Sequence, residues 1–350
     1  MSTACNELHL YVNLPEHSPN FSTVTAALDS IPFEAGEKEY PAPSTDIPPV
    51  TIHIGKGIYR EKITVTRPNV TFLGEGDSRS DVVLVYGDYA REIMPDGEKR
   101  GTFRTATVRI DAQDFKAAHL TFRNDSGYGY QVGQALALYT DGDRCYIEDC
   151  DLLGSQDTLF TAPLPEKEFE QGGFRGPGEF KPRTMTRQMF KNCYIQGDVD
   201  FIFGSGIVYF ENCEIFSKLP EGKPLPETPD KEIVYGYVTA ASTPESEKYG
   251  YVLKDCKLTS DCPPHSVFLG RPWREYAKTV YINCELGAHI HPVGWKDWNK
   301  THGHFYYGEY NSYGPGASPE TRADFSHQLT EAEAAEYTVE NVLKGWKPGL

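Results

Sequence analysis

The chain has 350 residues, of which 39% are hydrophobic and 24% charged, and its formal net charge is −16. This composition is ordinary for a soluble globular protein, and the negative charge argues against nucleic acid as a partner. No apolar run approaches the roughly 18 residues that cross a bilayer, so no membrane partner is expected. The first residues include Glu7, Pro15 and Glu16 and show no secretory signal. The sequence as written therefore predicts a cytoplasmic protein, or a secreted one whose signal is missing from it.

The chain begins with a predicted cap for a longer repetitive structure. Residues of about 20–31 have the apolar spacing of a short helix, with Ser22 as its N-cap. This helix would cover the open end of the structure that follows. Residues 32–49 are rich in proline and acidic residues and are predicted to form a surface loop. Strands are predicted to follow at 50–54 and 57–65.

A six-residue pattern recurs through the middle of the chain: an apolar residue, any residue, Asn or Asp, Cys, any residue and an apolar residue. The last copy is one residue shorter, and the cysteines lie 43, 20, 43 and 28 residues apart, at Cys150, Cys193, Cys213, Cys256 and Cys284. Residues 115–120 resemble an earlier copy with Ala118 in the cysteine position. A basic period of about 20 residues with strand-like alternation is typical of a β-helix. We expect the cysteines to stack inside it as reduced core residues.

The later segments are predicted to be one long loop and a C-terminal tail. Residues 163–187 are rich in glycine and proline and are expected to leave the coil and to form a wall at one end of a groove. A capping box begins at Thr330 and predicts a last helix that ends near Tyr337, within a tail of about 330–350. Because no linker divides the chain, we expect one all-β domain over residues 1–350.

Two acidic residues stand in apolar, β-prone surroundings. Asp157 directly follows Gln156, and Asp200 begins the run Asp-Phe-Ile-Phe-Gly. Burying a carboxylate is unfavourable unless it is paired or used in chemistry, so two of them indicate a candidate catalytic pair. Taken singly, Gln134 is more typical of a solvated residue and Arg271 of a salt-bridge partner. Their occurrence together and in order changes that interpretation.

Five ordered segments resemble the signature segments of the pectin methylesterases, or pectinesterases, at 57–61, 133–138, 156–157, 200–204 and 269–273. The resemblance runs from about Phe21 to Tyr310, nearly the whole chain. It implies the fold of that family, an all-β, right-handed parallel β-helix of the pectin lyase type. It also implies a carboxylic ester hydrolase that removes the C6 methyl esters of homogalacturonan, releasing methanol and pectate. Pectin degradation and cell-wall modification are the implied processes.

The resemblance gives each candidate residue a role. Asp200 would be the nucleophile that forms a covalent acyl-enzyme, and Asp157 the acid for methanol and then the base for water. Arg271 would keep Asp200 ionised, and the amides of Gln134 and Gln156 would stabilise the oxyanion. The implied substrate-binding residues are Trp273, Thr102, Val199 and Phe203. No cofactor or metal is implied. The expected partner is pectin or its oligosaccharides, bound by a monomer.

Two features depart from the family pattern. About twenty extra residues separate Asp157 from Asp200, and a net charge of −16 is unexpected for an enzyme that binds a polyanion. Methyl esterification removes the charge of the substrate, so this net charge favours highly methylated pectin.

Two alternatives stay open at this point. A polygalacturonase or a pectate lyase could use the same fold, although neither chemistry explains two glutamines together with Arg271. A non-catalytic carbohydrate-binding relative, or an esterase for another acyl group, would share the fold without the same substrate.

Overall fold

The structure is a computed structural model that describes residues 7–31, 47–224 and 233–350. Neighbouring strands in the described residues pair in parallel and form three sheets. The predicted loop at 32–49 lies mostly outside these residues, and so does Cys5. No helix within the described ranges is long and apolar enough to cross a membrane.

Strands from successive turns of the chain lie side by side in each sheet. The first sheet contains, in spatial order, Asn20–Phe21, Leu8–Val12, Val50–Gly55, Val70–Glu75, Lys116–Ala118, Cys145–Glu148, Arg187–Lys191, Ile207–Glu211, Tyr251–Lys254, Lys278–Ile282, Tyr306–Tyr310 and His327–Gln328. The second contains Glu285–Leu286, Lys257–Ser260, Glu214–Ser217, Tyr194–Gly197, Asp151–Leu153, Thr121–Asn124, Val82–Tyr86 and Gly57–Arg60. The third contains Val267–Gly270, Gly236–Ala241, Val199–Gly204, Leu159–Thr161, Leu138–Thr140, Val108–Ile110 and Ile63–Val65. The α-helices are Val24–Asp29, Gly129–Val132, Glu331–Ala335 and Val339–Val342, and the 3₁₀ turns are Arg79–Asp81, Thr102–Arg104 and Pro319–Thr321.

Seven consecutive turns, from the strand Val50–Gly55 to the strand Val267–Gly270, each contribute one strand to each sheet. The turn with Cys145–Glu148, Asp151–Leu153 and Leu159–Thr161 is an example. Apolar side chains at matching positions then stack along the interior, as Phe190 does on Phe210 with ring centroids 5.2 Å apart. This stack buries the core that a single turn could not bury alone. The architecture is the right-handed parallel β-helix predicted from the sequence, and that prediction is confirmed.

The Asn or Asp of the recurring pattern forms the bend between the first and second sheets. Its φ is positive, between 50° and 54°, in Asp149, Asn192, Asn212, Asp255 and Asn283. This left-handed conformation is unfavourable for most L-residues, and Asn and Asp adopt it more readily than others. The pattern therefore reflects a backbone requirement of the coil.

The cysteine after each bend points into the coil. The thiols of four of these cysteines donate to main-chain carbonyls of the preceding turn at 3.3–3.7 Å, and they belong to Cys193, Cys213, Cys256 and Cys284. These four and Cys150 are buried and free of disulfides. The prediction that the five cysteines are reduced core residues is confirmed.

The copy predicted at residues 115–120 is two residues out of register. Strand pairing sets Ala118 opposite Glu148, so His119 lies at the position of Asp149. His119 indeed has a φ of 60°. Leu120, rather than Ala118, therefore occupies the cysteine position. The bend defines the register, and at this turn a histidine adopts the left-handed conformation.

We expect the five stacked thiols to be unreactive in the native protein. All five are almost completely excluded from solvent, so a reagent cannot reach them, and burial also raises the pKa of Cys150 to about 12. A thiol reagent should detect the five only after denaturation, whereas the half-buried Cys262 should react earlier. A native disulfide among the five, found by mass spectrometry, would contradict this expectation.

The N-terminal helix spans Val24–Asp29 and packs on the first strands of the coil. Its N-cap is Thr23, and the prediction of Ser22 was wrong by one residue. The Thr23 side chain accepts a hydrogen bond from the N–H of Ala26 at 3.1 Å. Both residue types can cap a helix, and the position of the first turn selects between them.

Glu61 supports the first turn of this helix, and nearby Tyr59 supports the coil. The Glu61 carboxylate accepts hydrogen bonds from the N–H groups of Val24 and Thr25, each at 3.0 Å. An acid at this end of a helix satisfies donors that have no partner within the helix. The Tyr59 hydroxyl donates to a main-chain carbonyl at 2.7 Å. Glu61 thus joins the helix to the coil, Tyr59 joins two strands of the coil, and both residues have a structural role.

The C-terminal tail contains two short helices, Glu331–Ala335 and Val339–Val342. The first begins with the predicted capping box at Thr330, but it ends before Tyr337, and the second was not predicted. The Tyr209 hydroxyl of the coil donates to the Tyr337 carbonyl at 3.0 Å. This bond holds the tail on the first sheet.

Candidate active site

Asp157 and Asp200 lie on neighbouring turns of the third sheet. The N–H of Asp157 donates to the carbonyl of Val199 at 3.1 Å. Both aspartates are buried, and their φ values are 63° and 52°. Such strained conformations persist where the surrounding structure enforces them, and they are common at functional sites.

The strand that carries Asp200 is irregular. Its pairing register shifts between Val199 and Ile202. Phe201 consequently lies in the interior core, whereas Phe203 lies on the outside with other aromatic rings. A regular strand would place residues two apart on the same face. Nothing in the sequence pattern indicates this irregularity, which presents Asp200 and Phe203 on the outer surface of the coil.

Arg271 holds Asp200 in a bidentate ion pair. Its Nε donates to Oδ1 at 2.8 Å, and its Nη2 donates to Oδ2 at 2.6 Å. The guanidinium carbon lies 3.9 Å from the ring centre of Tyr237 and 3.8 Å from that of Trp298. Cation–π contacts and the bidentate pair together fix the position of the arginine. Tyr237 and Trp298 belong to no recognisable sequence motif, and neither was predicted.

Burial raises the pKa of both aspartates, but unequally. At Asp157 the pKa lies well above its ordinary value, because the negative charge of Asp200 adds to the effect of burial. At Asp200 the pKa is raised by burial, and the charge and hydrogen bonds of Arg271 oppose that rise. The pair can therefore divide its roles: Asp157 retains a proton while Asp200 is ionised.

Gln134 and Gln156 lie on successive turns beside the aspartates. The N–H of Ala135 donates to the Gln156 carbonyl at 3.1 Å, which sets the two backbones side by side. Gly129 packs closely on Gln156. A Cβ added to this glycine would lie only 2.4 Å from the Gln156 Cβ. A larger residue at 129 would displace this amide from the site.

A cavity of ≈ 980 Å³ brings the predicted residues together on the outer surface of the coil. The predicted residues that line it are Gln134, Gln156, Asp157, Asp200, Arg271, Thr102, Phe203 and Trp273. Val199 is not among its lining residues in the described part of the chain. This residue directly precedes Asp200 in the strand, and its carbonyl supports Asp157 instead.

Trp273 belongs to an aromatic cluster beside the carboxylates. Its ring centre lies 5.6 Å from Phe203, 6.5 Å from Phe103 and 6.4 Å from Phe174. These contacts support one part of the indole, and the rest of the side chain borders the cavity. The arrangement gives a rigid apolar surface of the kind that sugar rings stack on.

The charge around the cavity differs in sign from the charge of the chain. Its basic lining residues are Arg91, Lys99, Arg100, Arg175, Arg271 and Arg274. Its acidic lining residues are Glu98, Asp157, Glu170 and Asp200. Basic side chains thus outnumber acidic ones here, although the net charge of the chain is −16. The net charge alone does not describe the field that a bound ligand meets.

The family model for pectinesterases matches residues 13–167 and 183–346. The chain belongs to the pectinesterase family. Pectinesterase A of Dickeya dadantii (strain 3937) is 35% identical over 353 residues, covering 89% of this chain and 86% of its own. Pectinesterase QRT1 of Arabidopsis thaliana is 32% identical over 330 residues, covering 92% and 74%. The chain spans about half, 49%, of the Arabidopsis relative described as a probable pectinesterase/pectinesterase inhibitor 64.

Solved structures of pectinesterases have the same fold. The pectin methylesterase PemA from Erwinia chrysanthemi superposes with a TM-score of 0.75 at 32% identity, covering 99% of this chain and 100% of that one. The pectin methylesterase from carrot gives a TM-score of 0.74 at 26% identity, covering 99% and 95%. A further solved structure, at 32% identity and a TM-score of 0.75, is of a pectin methylesterase in complex with a hexasaccharide.

This pectinesterase carries a segment that the family model leaves unmatched, residues 168–182, which we call the insertion. It lies within the loop predicted at 163–187, which ends where a strand begins at Arg187. Residues 169–175 of the insertion line the cavity. Phe174 packs against Trp273, so the insertion forms a wall beside the aromatic cluster.

Ion pairs and main-chain contacts fix the insertion on the coil. The Lys181 ammonium contacts the carboxylates of Asp111 and Asp141, the latter at 2.9 Å. Just beyond the insertion, Arg183 donates to four main-chain carbonyls within the loop. Because charged groups hold this end of the wall, the insertion has a defined position relative to the site.

Proposed function

We propose that this pectinesterase hydrolyses the C6 methyl esters of homogalacturonan, with Asp200 as nucleophile and Asp157 as general acid and base. The bidentate pair between Arg271 and Asp200, beside a carboxyl group whose pKa is raised, is the observation that carries the proposal. It leaves one carboxylate ready to attack and the other ready to give a proton, the combination that acyl transfer needs.

In the first half-reaction, an oxygen of Asp200 attacks the ester carbonyl carbon and forms a new C–O bond. The carbonyl oxygen becomes an oxyanion in the tetrahedral intermediate. The bond to the methoxy oxygen then breaks as Asp157 donates its proton, and methanol leaves. The product is an anhydride between Asp200 and the galacturonate, and Asp157 is left as a carboxylate.

In the second half-reaction, the Asp157 carboxylate takes a proton from water, and the resulting hydroxide attacks the same carbonyl carbon. The bond to Asp200 breaks, and its electron pair returns to the Asp200 carboxylate, which Arg271 stabilises. The galacturonic acid leaves and ionises in solution. One water is consumed, one methanol and one carboxylic acid are formed, and both aspartates return to their starting states.

The remaining lining residues support this sequence. The side-chain amides of Gln134 and Gln156 can donate to the oxyanion without competing for a proton. Trp273, Phe203 and Thr102 border the same cavity and would hold the sugar chain. Every group used comes from one chain, so we further propose that a monomer is active.

The test is methanol release from highly methylated pectin. We expect methanol and an equal number of new carboxylates to appear while the length of the polymer stays constant, because no step breaks a glycosidic bond. Methanol assay, alkali titration and viscosity measure these three quantities. A fall in viscosity with no methanol would indicate a glycosidase or lyase and would refute the proposal.

A further inference from the structure

Phe169 is an exposed aromatic residue at the edge of the cavity. It belongs to the insertion that the family model leaves unmatched, lines the cavity, and has 65% of its surface exposed. A single exposed apolar side chain is common on protein surfaces, so exposure by itself does not mark a binding site. Phe180, in the same insertion, is 90% exposed but is not among the cavity-lining residues in the described chain. Exposure alone therefore does not distinguish a candidate binding residue from an ordinary surface residue. The contacts around Phe169 make that distinction.

Arg274 fixes Phe169 relative to Trp273. Its guanidinium carbon lies 3.8 Å from the ring centre of Phe169 and 4.6 Å from that of Trp273. Its Nη1 donates to the Trp273 carbonyl at 3.0 Å, and its Nη2 donates to the Lys167 carbonyl at 2.9 Å. The arginine thus connects the loop that carries Phe169 with the segment that carries Trp273, and Phe169 is held in place although it is exposed.

Two cationic side chains, Arg274 and Lys300, lie over the ring of Phe169, whose neighbours in the chain are Glu168 and Glu170. The Lys300 ammonium lies 5.1 Å from the ring centre of Phe169. Among the residues that the structure describes, neither Lys300 nor Arg274 forms an ion pair with a carboxylate. Burial alone lowers the pKa of Arg274 to about 10, as expected for a cation without an acidic neighbour. An anion bound here would meet two cationic side chains that no carboxylate of the described residues holds in a close ion pair.

We propose that Phe169, Lys300 and Arg274 form an additional subsite for an unesterified galacturonate residue of the substrate chain, on the Trp273 side of the groove. The apolar C–H face of the sugar would lie on the exposed ring of Phe169, and its carboxylate would face Lys300. The identity of the sugar rests on the proposed function, whereas the preference for an aromatic contact and a negative charge rests on these three residues.

The subsite changes the substrate preference that the net charge suggests. The overall charge of −16 favours highly methylated pectin. This subsite instead favours a chain in which a free carboxylate lies a few sugars from the ester being cleaved. Because Phe169 and Lys300 are partly exposed, the attraction between the ammonium and the carboxylate should weaken as salt screens it.

The experiment compares wild type with Phe169→Ala, Phe169→Tyr, Lys300→Ala and the matched control Phe180→Ala. Calorimetry with an unesterified galacturonate hexamer measures Kd, and methanol release from partially methylated pectin measures kcat and KM. We expect Phe169→Ala to raise Kd and KM about tenfold with kcat nearly unchanged, as for an aromatic anchor in a binding site. Phe169→Tyr should restore most of the binding, and Phe180→Ala should stay within about twofold of wild type.

Lys300→Ala should raise Kd about fivefold at low salt, and this difference should shrink at high salt. A Kd for Phe169→Ala equal to that of wild type, or an equal loss in Phe180→Ala, would overturn the subsite. Normal methanol release with no effect of Phe169→Ala would refute the subsite and leave the proposed function standing. Hexamer binding that depends on Phe169, in a protein that releases no methanol, would support the subsite and refute the proposed function.

Discussion

Asp200→Asn is expected to lower the rate of methanol release by about 10⁴-fold or more, the loss typical when a nucleophile is removed. The asparagine has nearly the shape of the aspartate, but its amide oxygen is a poor nucleophile. Binding of an unesterified oligogalacturonate should change little, because the groove walls and Trp273 stay in place. Methanol assays with the purified variant and calorimetry with the oligosaccharide measure the two effects separately.

Asp198→Asn is the matched control for this variant. Asp198 is also a buried acid in the neighbourhood of the same strand, and burial raises its pKa to about 6. It is not among the cavity-lining residues in the described chain, and its Oδ1 accepts the N–H of Val199 at 2.6 Å. We expect this variant to keep its activity within about tenfold. Equal losses in the two variants would show that Asp200 acts through folding and not as the nucleophile.

The repeat could be predicted because the coil imposes the same backbone requirement on every turn. A bend with positive φ selects Asn or Asp, and the next position faces the crowded interior and accepts a small thiol. The register error at residues 115–120 arose because the prediction followed the small residue, while the bend is set by His119. The cysteine position tolerates Leu120, so its chemistry is a weaker signal than the conformation of the bend.

The convergence of Asp157, Asp200 and Arg271 could be predicted because strands of a parallel coil stack in register, and residues far apart in sequence then meet on one face. The aromatic surroundings could not. Tyr237 and Trp298 contact Arg271 from different turns, and one of them lies in an irregular segment. An aromatic residue in a loop carries no sequence mark that distinguishes a contact with the site from an exposed position, as Phe169 and Phe180 show.

The net charge of the chain likewise does not predict the charge that lines the cavity. The value of −16 sums residues over the whole surface, and the cavity selects a small and mainly basic subset of them. Screening limits the reach of the remaining charges to about 8–10 Å at moderate ionic strength. Local geometry, which the sequence does not give, decides which charges a bound polysaccharide meets.

Arg271→Met should lower kcat/KM at neutral pH by about 10²–10³-fold, the range for removing one preorganised charged group from a site. It should also move the acid limb of the pH profile. Asp200 must be ionised to attack, and Arg271 opposes the rise that burial causes in the pKa of Asp200. Without the arginine this pKa rises further, so the acid limb shifts to higher pH. Initial rates of methanol release across the range of stability measure the shift.

The melting temperature of Arg271→Met should depend on pH more strongly than that of wild type. Because the folded-state pKa of Asp200 lies above its unfolded value, the unfolded state loses its proton first, and the protein becomes less stable as pH rises above about 4. Arg271→Met increases this difference, so its Tm should fall more between pH 5 and pH 8 than that of wild type. Arg271→Lys keeps a charge but loses the bidentate geometry, so it should lie between the two. An acid limb that does not move in Arg271→Met would show that another group sets the ionisation of Asp200, and the division of roles between the two aspartates would then fail.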